Sequence, residues 1–251
     1  MVCHVLIIMS KTATLQGEEN MDISSLIIAK DLTKTYHLGE VSVHALEHVT
    51  IDINRGDFVV ITGRNGAGKS TLMHNLAVLD RPDSGEIIIN GHDVTKLKKY
   101  ERTELRLQKL GYIFQEYALI AELSALENIM LPAMMLGSFK AAKEKALAML
   151  KQFGLEDHAT HLPSQLSGGQ QQKIAIARAL INDPMILFAD EPTANLDSVA
   201  AKEVLGIFRH LNRDAGHTIV MVTHEQDETI HANRLVEMAD GKVVRDERRN
   251  V

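Results

Sequence analysis

Short apolar runs alternate with helical patterns along most of the chain. From Leu26 onward, runs rich in β-branched residues are separated by longer segments whose apolar positions repeat with helical spacing. The clearest strand candidates are FVVITG, EIIING, GYIFQ, MILFADE, TIVMVTH and RLVEMADGKVV. Because strands that alternate with helices are typical of α/β proteins, the pattern predicts an α/β fold with a mainly parallel central sheet.

The middle of the chain lacks this alternation. Residues from about 116 to 180 contain no good strand pattern, which predicts a helical subdomain inserted between two core strands. Within it, SFKAAKEKALAMLKQFG predicts a helix that ends at Gly154. The predicted apolar stripe of that helix consists of Ala146, Leu147, Leu150 and Phe153. Upstream, GEIIINGHDVTKL and the strands before the first glycine-rich loop predict a small antiparallel sheet beside the core.

The amino-terminal segment carries no periodic pattern. The sequence therefore predicts a flexible extension at residues 1–25 and a globular domain at residues 26–251. Cys3 is the single cysteine, which excludes an internal disulfide and a cysteine-based metal cluster. With 45% hydrophobic and 24% charged residues, the composition is that of an ordinary globular protein.

Composition also limits where the protein acts and what it binds. No apolar stretch approaches the ~18 residues that a membrane-spanning helix needs, and the first residues do not form a signal-peptide pattern. We therefore expect a cytoplasmic protein whose membrane role, if it has one, depends on a partner. The net charge of −6 gives no general attraction to nucleic acid, so no nucleic-acid partner is expected.

The stretch GRNGAGKST forms a complete phosphate-binding motif. Gly63, Gly68, Lys69 and Ser70 satisfy Gly-x4-Gly-Lys-Ser, between a strand pattern and a helix pattern. Glycines let backbone amides surround phosphates, while Lys69 offers an ammonium group and Ser70 a hydroxyl for Mg²⁺. The alternative, an ordinary glycine-rich turn, does not require the lysine and serine at these positions. The predicted ATP-binding residues of this phosphate loop are Gly63, Arg64, Asn65, Gly66, Ala67, Gly68, Lys69, Ser70 and Thr71.

Polar residues follow three other apolar strand patterns. Asp190 and Glu191 end MILFADE, and acids at the carboxyl end of a buried parallel strand face the crevice where such sheets bind ligands. We expect Asp190 to hold Mg²⁺ and Glu191 to orient and deprotonate the attacking water. His224 ends TIVMVTH and is a candidate to position that water or the terminal phosphate. Gln115 ends GYIFQ, and its amide oxygen is a third candidate Mg²⁺ ligand beside Ser70 and Asp190.

A second helix start with anion-binding character lies about a hundred residues after the phosphate loop. In LSGGQQQKIAIARAL, Ser167 can cap a helix, and Gly168 and Gly169 leave backbone amides uncovered. One nucleotide has no evident need for two such starts in one chain. Nearby, His158 and His161 in HATHLP have no companion metal ligands and are expected to be solvated.

Together these motifs resemble the nucleotide-binding subunit of ATP-binding cassette (ABC) transporters from about residue 28 to 244. The resemblance implies that Tyr36 stacks on adenine. It also implies a head-to-tail homodimer around two ATP in which the signature motif LSGGQ contacts the ATP of the other copy. The implied signature contacts are Ser167, Gly168, Gly169 and Gln170, and the implied D-loop residues at the dimer interface are Asn195, Leu196 and Asp197.

Within that family, several stretches are similar to the macrolide-export and lipoprotein-release class. This similarity implies an Mg²⁺-dependent ATPase on the cytoplasmic face of the cell membrane, bound to an integral membrane permease present as two copies or as a heterodimer. The Met-rich IMLPAMML is a candidate contact with that permease, or simply core. Lys173 stands where arginine is usual and Ala194 where glycine is common, and neither change affects the expected ATP binding.

These motifs fit three functions to different degrees. A transporter motor that exports or extracts a hydrophobic, peptide-like or lipoprotein-like substrate fits them. A regulatory or assembly ATPase that uses the same cycle without moving a substrate fits them equally well. A DNA-repair or translation-factor ABC protein fits poorly, because the phosphate loop and signature are too close for the former and a single cassette is too few for the latter. The substrate and its direction of travel are not encoded in these motifs.

Overall fold

The computed structural model of the protein describes residues 25–39 and 41–249. Cys3 and the predicted flexible extension lie outside the described residues, apart from Ser25, which begins the first strand. The strands are β1 Ser25–Leu38, β2 Val41–Asn54, β3 Phe58–Gly63, β4 Ser84–Ile89, β5 His92–Asp93, β6 Leu110–Ile113, β7 Ile186–Asp190, β8 Thr218–Val222, β9 Arg234–Ala239 and β10 Lys242–Arg248. The α-helices are α1 Lys69–Leu76, α2 Lys99–Lys109, α3 Ala125–Met134, α4 Phe139–Gln152, α5 Gly168–Leu180 and α6 Ser198–Arg213.

The central sheet has six strands in the order β10-β9-β3-β8-β7-β6. All neighbouring pairs are parallel except β10 with β9, which form an antiparallel hairpin at one edge. Strands β3, β7 and β8 are almost entirely buried, as their continuous apolar sequences require when helices cover both faces. The prediction of an α/β fold with a mainly parallel sheet is confirmed.

Alternate residues of each central strand face two separate cores. Ile61, Phe188 and Val222 pack with α1 and the smaller sheet on one side. Val60 and Leu187 pack with α6 on the other side, where Phe208 is fully buried. This two-residue periodicity places one layer on each face of the sheet and leaves the strand ends free to form a crevice.

The smaller sheet is antiparallel and has the strand order β2-β1-β4-β5. Its core residues, among them Leu26, Leu46 and Ile87, join the same cluster as α1 and the central sheet. The predicted antiparallel sheet beside the core is therefore confirmed, and it lies next to the helix that follows the phosphate loop.

Between β6 and β7, the described residues contain helices and no strand. Helices α3, α4 and α5 share one apolar cluster, to which α4 contributes Ala142, Ala146 and Leu150. The predicted stripe was wrong at Leu147, which is 43% exposed. Residues four apart stack on one helix face, whereas the residue after Ala146 is rotated about 100° away from it.

Candidate functional site

The phosphate loop follows β3 and has a backbone that only glycine accommodates at two positions. Gly63 has φ 145° and Gly68 has φ 95°. A Cβ atom on Gly63 would lie 2.2 Å from the carbonyl oxygen of Met238, and one on Gly68 would lie 2.3 Å from that of Ala45. Both glycines are thus required by close backbone approach as well as by their φ angles. The loop therefore packs closely against β9 and β2.

The side chain of Lys69 crosses the mouth of this loop. Its Nζ donates hydrogen bonds to the carbonyl oxygens of Gly63 at 3.0 Å and Arg64 at 3.1 Å. The residue is only 5% exposed, yet no carboxylate pairs with its ammonium group among the described residues. A buried cation held by carbonyl dipoles at a helix start is well suited to an anionic ligand.

Next to Lys69, Ser70 faces the end of β7. The Ser70 hydroxyl donates to Oδ1 of Asp190 at 3.3 Å, and the Tyr112 hydroxyl donates to Oδ2 of the same carboxylate at 3.3 Å. His74, one helical turn after Ser70, places Nε2 3.7 Å from Oδ2 of Asp190. Burial raises the pKa of Asp190, and His74, Tyr112 and Ser70 partly oppose that shift. Burial, followed by the charge of Asp190, raises the pKa of Tyr112 far above its ordinary range.

Glu191 and His224 lie side by side at the ends of two neighbouring strands. Nδ1 of His224 is 3.4 Å from Oε1 of Glu191, and Nε2 of His224 is 3.3 Å from Oε1 of Glu225. Glu191 adopts a left-handed backbone with φ 43°, and its N–H donates to the carbonyl oxygen of Val222 at 2.9 Å. Non-glycine residues in this region are strained, and such strain concentrates at functional sites.

Gln115 is exposed and follows the end of β6. The backbone carbonyl oxygen of Gln115 accepts a hydrogen bond from Nδ2 of Asn195 at 3.0 Å. The Tyr117 hydroxyl donates to the backbone carbonyl oxygen of Asn195 at 3.2 Å. The structure thus brings the residue predicted as a magnesium ligand against the predicted D-loop. Asp197, at the end of that loop, caps α6 by accepting hydrogen bonds from the amides of Val199 and Ala200, each at 2.9 Å.

Tyr36 lies on the smaller sheet. Its hydroxyl donates to Oδ2 of Asp80 at 2.9 Å, and Nζ of Lys34 lies 5.4 Å from the centre of its ring. Burial, with help from Asp80, raises the pKa of the phenol. The side chain is therefore held at its tip and on one face, although the residue remains 36% exposed.

The signature motif forms the amino terminus of α5. Oγ of Ser167 accepts a hydrogen bond from the backbone N–H of Gln170 at 3.3 Å, and Oε1 of Gln170 accepts one from the backbone N–H of Ser167 at 2.9 Å. This reciprocal pair is a capping box. Ser167 is exposed. Among the described residues, no hydrogen bond or ion pair joins residues 167–170 to the phosphate loop.

Several contacts of the site were not predicted. Tyr112 and His74 both approach Asp190, and Glu225 flanks His224. His74 follows Ser70 by four residues on a helix, which was the one available signal that the two share a face. The expectation that His158 and His161 are solvated was wrong. Both are half-buried, their Nδ1 atoms are buried without hydrogen-bond partners, and Nε2 of His158 contacts Nε2 of Gln170 at 2.9 Å.

A strand, a glycine-rich loop with lysine and serine, and an acid at the end of another parallel strand of the same sheet define a P-loop nucleotide-binding protein. The comparison with protein families then gives the family itself. The sequence profile described as "ABC transporter" matches residues 46–194. The chain belongs to the ABC transporter family, and its fold is that of the ATPase cassette, as the motifs indicated.

Named relatives agree with this assignment. The chain is 47% identical over 221 residues to the macrolide export ATP-binding/permease protein MacB of Syntrophobacter fumaroxidans, covering 87% of this chain and 31% of that relative. It is 43% identical over 222 residues to the MacB protein of Vibrio parahaemolyticus, covering 88% of this chain and 34% of that relative. The chain thus spans about a third of the length of the curated relatives it matches.

A solved structure covers nearly the same length. The dimeric ATP-binding cassette MJ0796, in a post-hydrolysis state bound to ADP and Pi, superposes with a TM-score of 0.83 at 40% identity. The match covers 90% of this chain and 99% of that one. No helix in the part of the chain that the structure describes is long and apolar enough to cross a membrane.

Proposed function

We propose that the chain is the ATP-hydrolysing motor subunit of an ABC transporter and that it works as a dimer around two ATP. The hydrolytic part of this proposal rests on a row of side chains at the carboxyl ends of the parallel strands in the central sheet. Lys69 borders the phosphate loop, Ser70 contacts Asp190 at 3.3 Å, and Glu191 lies 3.4 Å from His224. These groups match, in order, the needs of phosphate binding, metal binding and water activation.

The phosphate loop and Lys69 would hold the β- and γ-phosphates. The Lys69 ammonium already lies at the loop mouth, so an incoming phosphate oxygen would replace the carbonyl oxygens that it now contacts. The other residues of the loop, from Gly63 to Thr71, would contribute backbone amides and the Thr71 hydroxyl. Tyr36, held through Asp80, would offer its free ring face to the adenine.

The donor set beside the loop suits Mg²⁺. Magnesium in nucleotide sites is bound through one or two carboxylates together with phosphate oxygens, and further oxygen ligands complete its octahedral shell. Ser70 and Asp190 supply such oxygens next to one another, and Gln115 would supply a third from the end of β6. When bound, Mg²⁺ would neutralise charge on the β- and γ-phosphates. Tyr112 and Ser70, which now donate to Asp190, keep its carboxylate oriented toward the loop.

Glu191 would act as the general base. Its strained backbone and its bond to β8 fix the carboxylate at the strand end, and His224 borders the carboxylate on one side. From that position Glu191 accepts the proton of the attacking water while His224 orients the water or the γ-phosphate. Positioned acid–base groups of this kind typically contribute about 10²- to 10⁴-fold in rate.

A second copy of the chain would complete each site. Ser167, Gly168, Gly169 and Gln170 form the start of α5, and they make no hydrogen bond to the phosphate loop of their own chain among the described residues. A head-to-tail dimer would place that start against the γ-phosphate in the other copy. The D-loop residues Asn195, Leu196 and Asp197 would line the interface, since Asn195 already reaches Gln115. The dimeric MJ0796 cassette, bound to ADP and Pi, supports this arrangement.

A membrane permease would receive the motion. The MacB relatives are described as ATP-binding/permease proteins, and this chain matches only about a third of each. The end of α3 and start of α4 expose four apolar side chains, which are Met134, Met135, Leu136 and Phe139. We infer that this patch contacts a permease, as two copies or a heterodimer, on the cytoplasmic face of the membrane. The cargo would be a hydrophobic or peptide-like substrate, in keeping with the export function named for the MacB relatives.

The test uses the purified chain with ATP and Mg²⁺. If each site needs two copies, the hydrolysis rate per chain must rise with chain concentration. Sedimentation of the Glu191→Gln chain, which should bind ATP without turning it over, must show a dimer that forms with ATP and not with ADP alone. A rate per chain that stays constant while the protein sediments as a monomer would overturn the proposal. Omission of Mg²⁺ should leave hydrolysis at background.

A further inference from the structure

A histidine outside the predicted site contacts the signature motif. Nε2 of His158 lies 2.9 Å from Nε2 of Gln170, the last residue of LSGGQ. We propose that His158 is a positioning residue for the signature. As a neutral imidazole it accepts a hydrogen bond from the side-chain amide of Gln170. This contact fixes the helix start that faces the ATP of the other copy. This inference rests on the proposed dimeric function.

The orientation of the Gln170 amide follows from its other contact. The Ser167 backbone N–H donates to Oε1 of Gln170 at 2.9 Å, so the carbonyl end of the amide faces Ser167. The NH₂ end therefore faces His158 and must donate. A donor opposite Nε2 requires that nitrogen to be unprotonated, and the proton of the neutral ring is then on Nδ1.

The second nitrogen of the ring has no competing role. Nδ1 of His158 is buried and makes no hydrogen bond. The Gln170 amide is therefore the one hydrogen-bond partner of this imidazole among the described residues. Any orientation of this ring by hydrogen bonding therefore acts through Nε2 and Gln170.

Gln170 needs such support because the capping box depends on its side chain. A glutamine has several freely rotating bonds, and ordering it on the surface costs conformational entropy. If the side chain turns away, the Ser167 amide loses its acceptor and the first turn of α5 loosens. His158 holds the far end of that side chain, so the amides of the first turn keep one direction.

The loop that carries His158 is itself fastened. The His158 amide donates to the carbonyl oxygen of Leu155 at 3.0 Å, and the His161 amide donates to that of His158 at 3.0 Å. The same loop accepts hydrogen bonds from the first turn of α3, where the Ala125 amide donates to His161 at 2.8 Å and the Leu126 amide donates to Ala159 at 3.0 Å. The loop that carries His158 thus contacts the start of α3, while His158 itself contacts the start of α5.

The first test is a set of substitutions at His158. Glutamine carries an acceptor at about the reach of Nε2, whereas asparagine is shorter and leucine has no acceptor. We expect His158→Gln to keep most of the Mg-ATPase rate and His158→Asn and His158→Leu to lose it by roughly 10-fold, the effect of one hydrogen bond. ATP affinity of the monomer should stay unchanged in all three. His161→Ala is the matched control, because His161 packs on His158 with ring centres 5.1 Å apart and makes no hydrogen bond to residues 167–170.

The second test asks whether His158 acts on the site of the other copy. In mixed dimers, Lys69→Ala on one chain with His158→Leu on the other leaves one site with both halves intact. Both changes on the same chain leave none. We expect the first arrangement to be severalfold more active than the second. The same pair of arrangements with Ser167→Arg in place of His158→Leu reports on the head-to-tail dimer alone.

These outcomes separate the two proposals. If the arrangements differ for Ser167→Arg and not for His158→Leu, the role of His158 is refuted while the dimeric function stands. If the arrangements differ for neither substitution, both the dimeric function and the role of His158 are refuted. Equal losses in His158→Gln and His158→Asn, or a fall in monomer ATP affinity, would show that His158 only supports folding and would overturn the inference.

Discussion

At the scale of single residues, Glu191 has a strained backbone and is the proposed general base. Its backbone lies in the left-handed region, where a side chain costs energy, and the hydrogen bond from its amide to Val222 holds it there. Two other carboxylates lie close by, Asp190 before it and Glu225 across His224. The three carboxylates therefore have different surroundings, and substitution of each should have a different effect.

Glu191→Gln should retain ATP and lose turnover. The amide preserves shape but cannot take a proton from water, so we expect kcat to fall about 10²- to 10⁴-fold with ATP binding nearly unchanged. Steady-state hydrolysis and equilibrium ATP binding measure the two quantities. Glu225→Gln is the matched control, since Glu225 touches the opposite nitrogen of His224 and is 63% exposed at its side chain. A greater loss in the control than in Glu191→Gln would remove Glu191 from the role of base.

Lys69→Ala should weaken nucleotide binding directly. The ammonium is buried and, among the described residues, is bonded only to carbonyl oxygens, so its charge can pair with phosphate. Loss of a charge-assisted hydrogen bond corresponds to roughly 10- to 100-fold in affinity. Titration calorimetry with ATP checks this, and Lys96→Ala, whose exposed lysine pairs with Asp93, should bind as the parent does. Equal affinities in Lys69→Ala and the parent would contradict the phosphate-loop assignment.

Motif spacing predicts the strand-end residues of the candidate site because a strand, its end and a functional group are contiguous in sequence. It could not identify Tyr112, which reaches Asp190 only because β6 lies beside β7 in the sheet. Nor could it identify the contact of His158 with Gln170, which depends on how a loop folds back on a helix start. Residue types at a site are readable locally, whereas their partners depend on tertiary packing.

At the scale of elements, the buried strands were the most predictable. β3, β7 and β8 are nearly all apolar, and burial on both faces leaves no other choice. β1 and β2 were harder to delimit, because each is 14 residues long and their pairing shifts register at several points. Asp31 and His48 have positive φ at such irregularities, so the regular alternation of a strand is interrupted there. Helix α4 was predicted with one wrong face residue, since Leu147 adjoins the buried stripe without belonging to it.

Arg234 links elements that the sequence does not place together. On β9 and 4% exposed at its side chain, it forms a two-pronged pair with Asp246 of β10, at 2.8 and 2.7 Å, and it also bonds the Asp52 carbonyl oxygen of β2. Burial alone would lower the pKa of Arg234, but Asp246 and Asp52 raise it above its ordinary value. The residue therefore fastens the smaller sheet to the edge of the central one.

Arg234→Ala should destabilise the fold measurably. Removing one partner of a buried pair costs about 3–5 kcal/mol in full burial, and we expect about 1–3 kcal/mol because Asp246 and Asp52 can be hydrated. Urea unfolding measures the change. The control Arg245→Ala removes an exposed arginine that pairs with Glu247 on the same hairpin, and it should destabilise the fold far less. Similar losses in both variants would refute a linking role for Arg234.

At the scale of the whole molecule, the proposed function divides each nucleotide site between two copies of the chain. The phosphate loop, Asp190, Glu191 and His224 lie at one edge of the central sheet, while the signature begins a helix of the intervening helical segment. If ATP joins these halves across two copies, its γ-phosphate is part of the interface, and hydrolysis weakens the dimer. The apparent redundancy of two anion-binding helix starts is then a requirement of the cycle.

Ser167→Arg should abolish the ATP-dependent dimer and leave the monomer competent to bind nucleotide. The exposed Ser167 would face phosphate across the interface, where the much larger arginine side chain would hold the two copies apart, whereas the phosphate loop of the same chain is not altered. Loss of the helix cap costs about 1 kcal/mol, so Ser167→Asn, which preserves a cap, separates helix stability from dimerisation. Ser164→Arg adds the same charge at an exposed position three residues earlier and should dimerise normally. Sedimentation with ATP and the Glu191→Gln background decides the matter, and an unchanged dimer in Ser167→Arg would show that the signature does not lie between the copies.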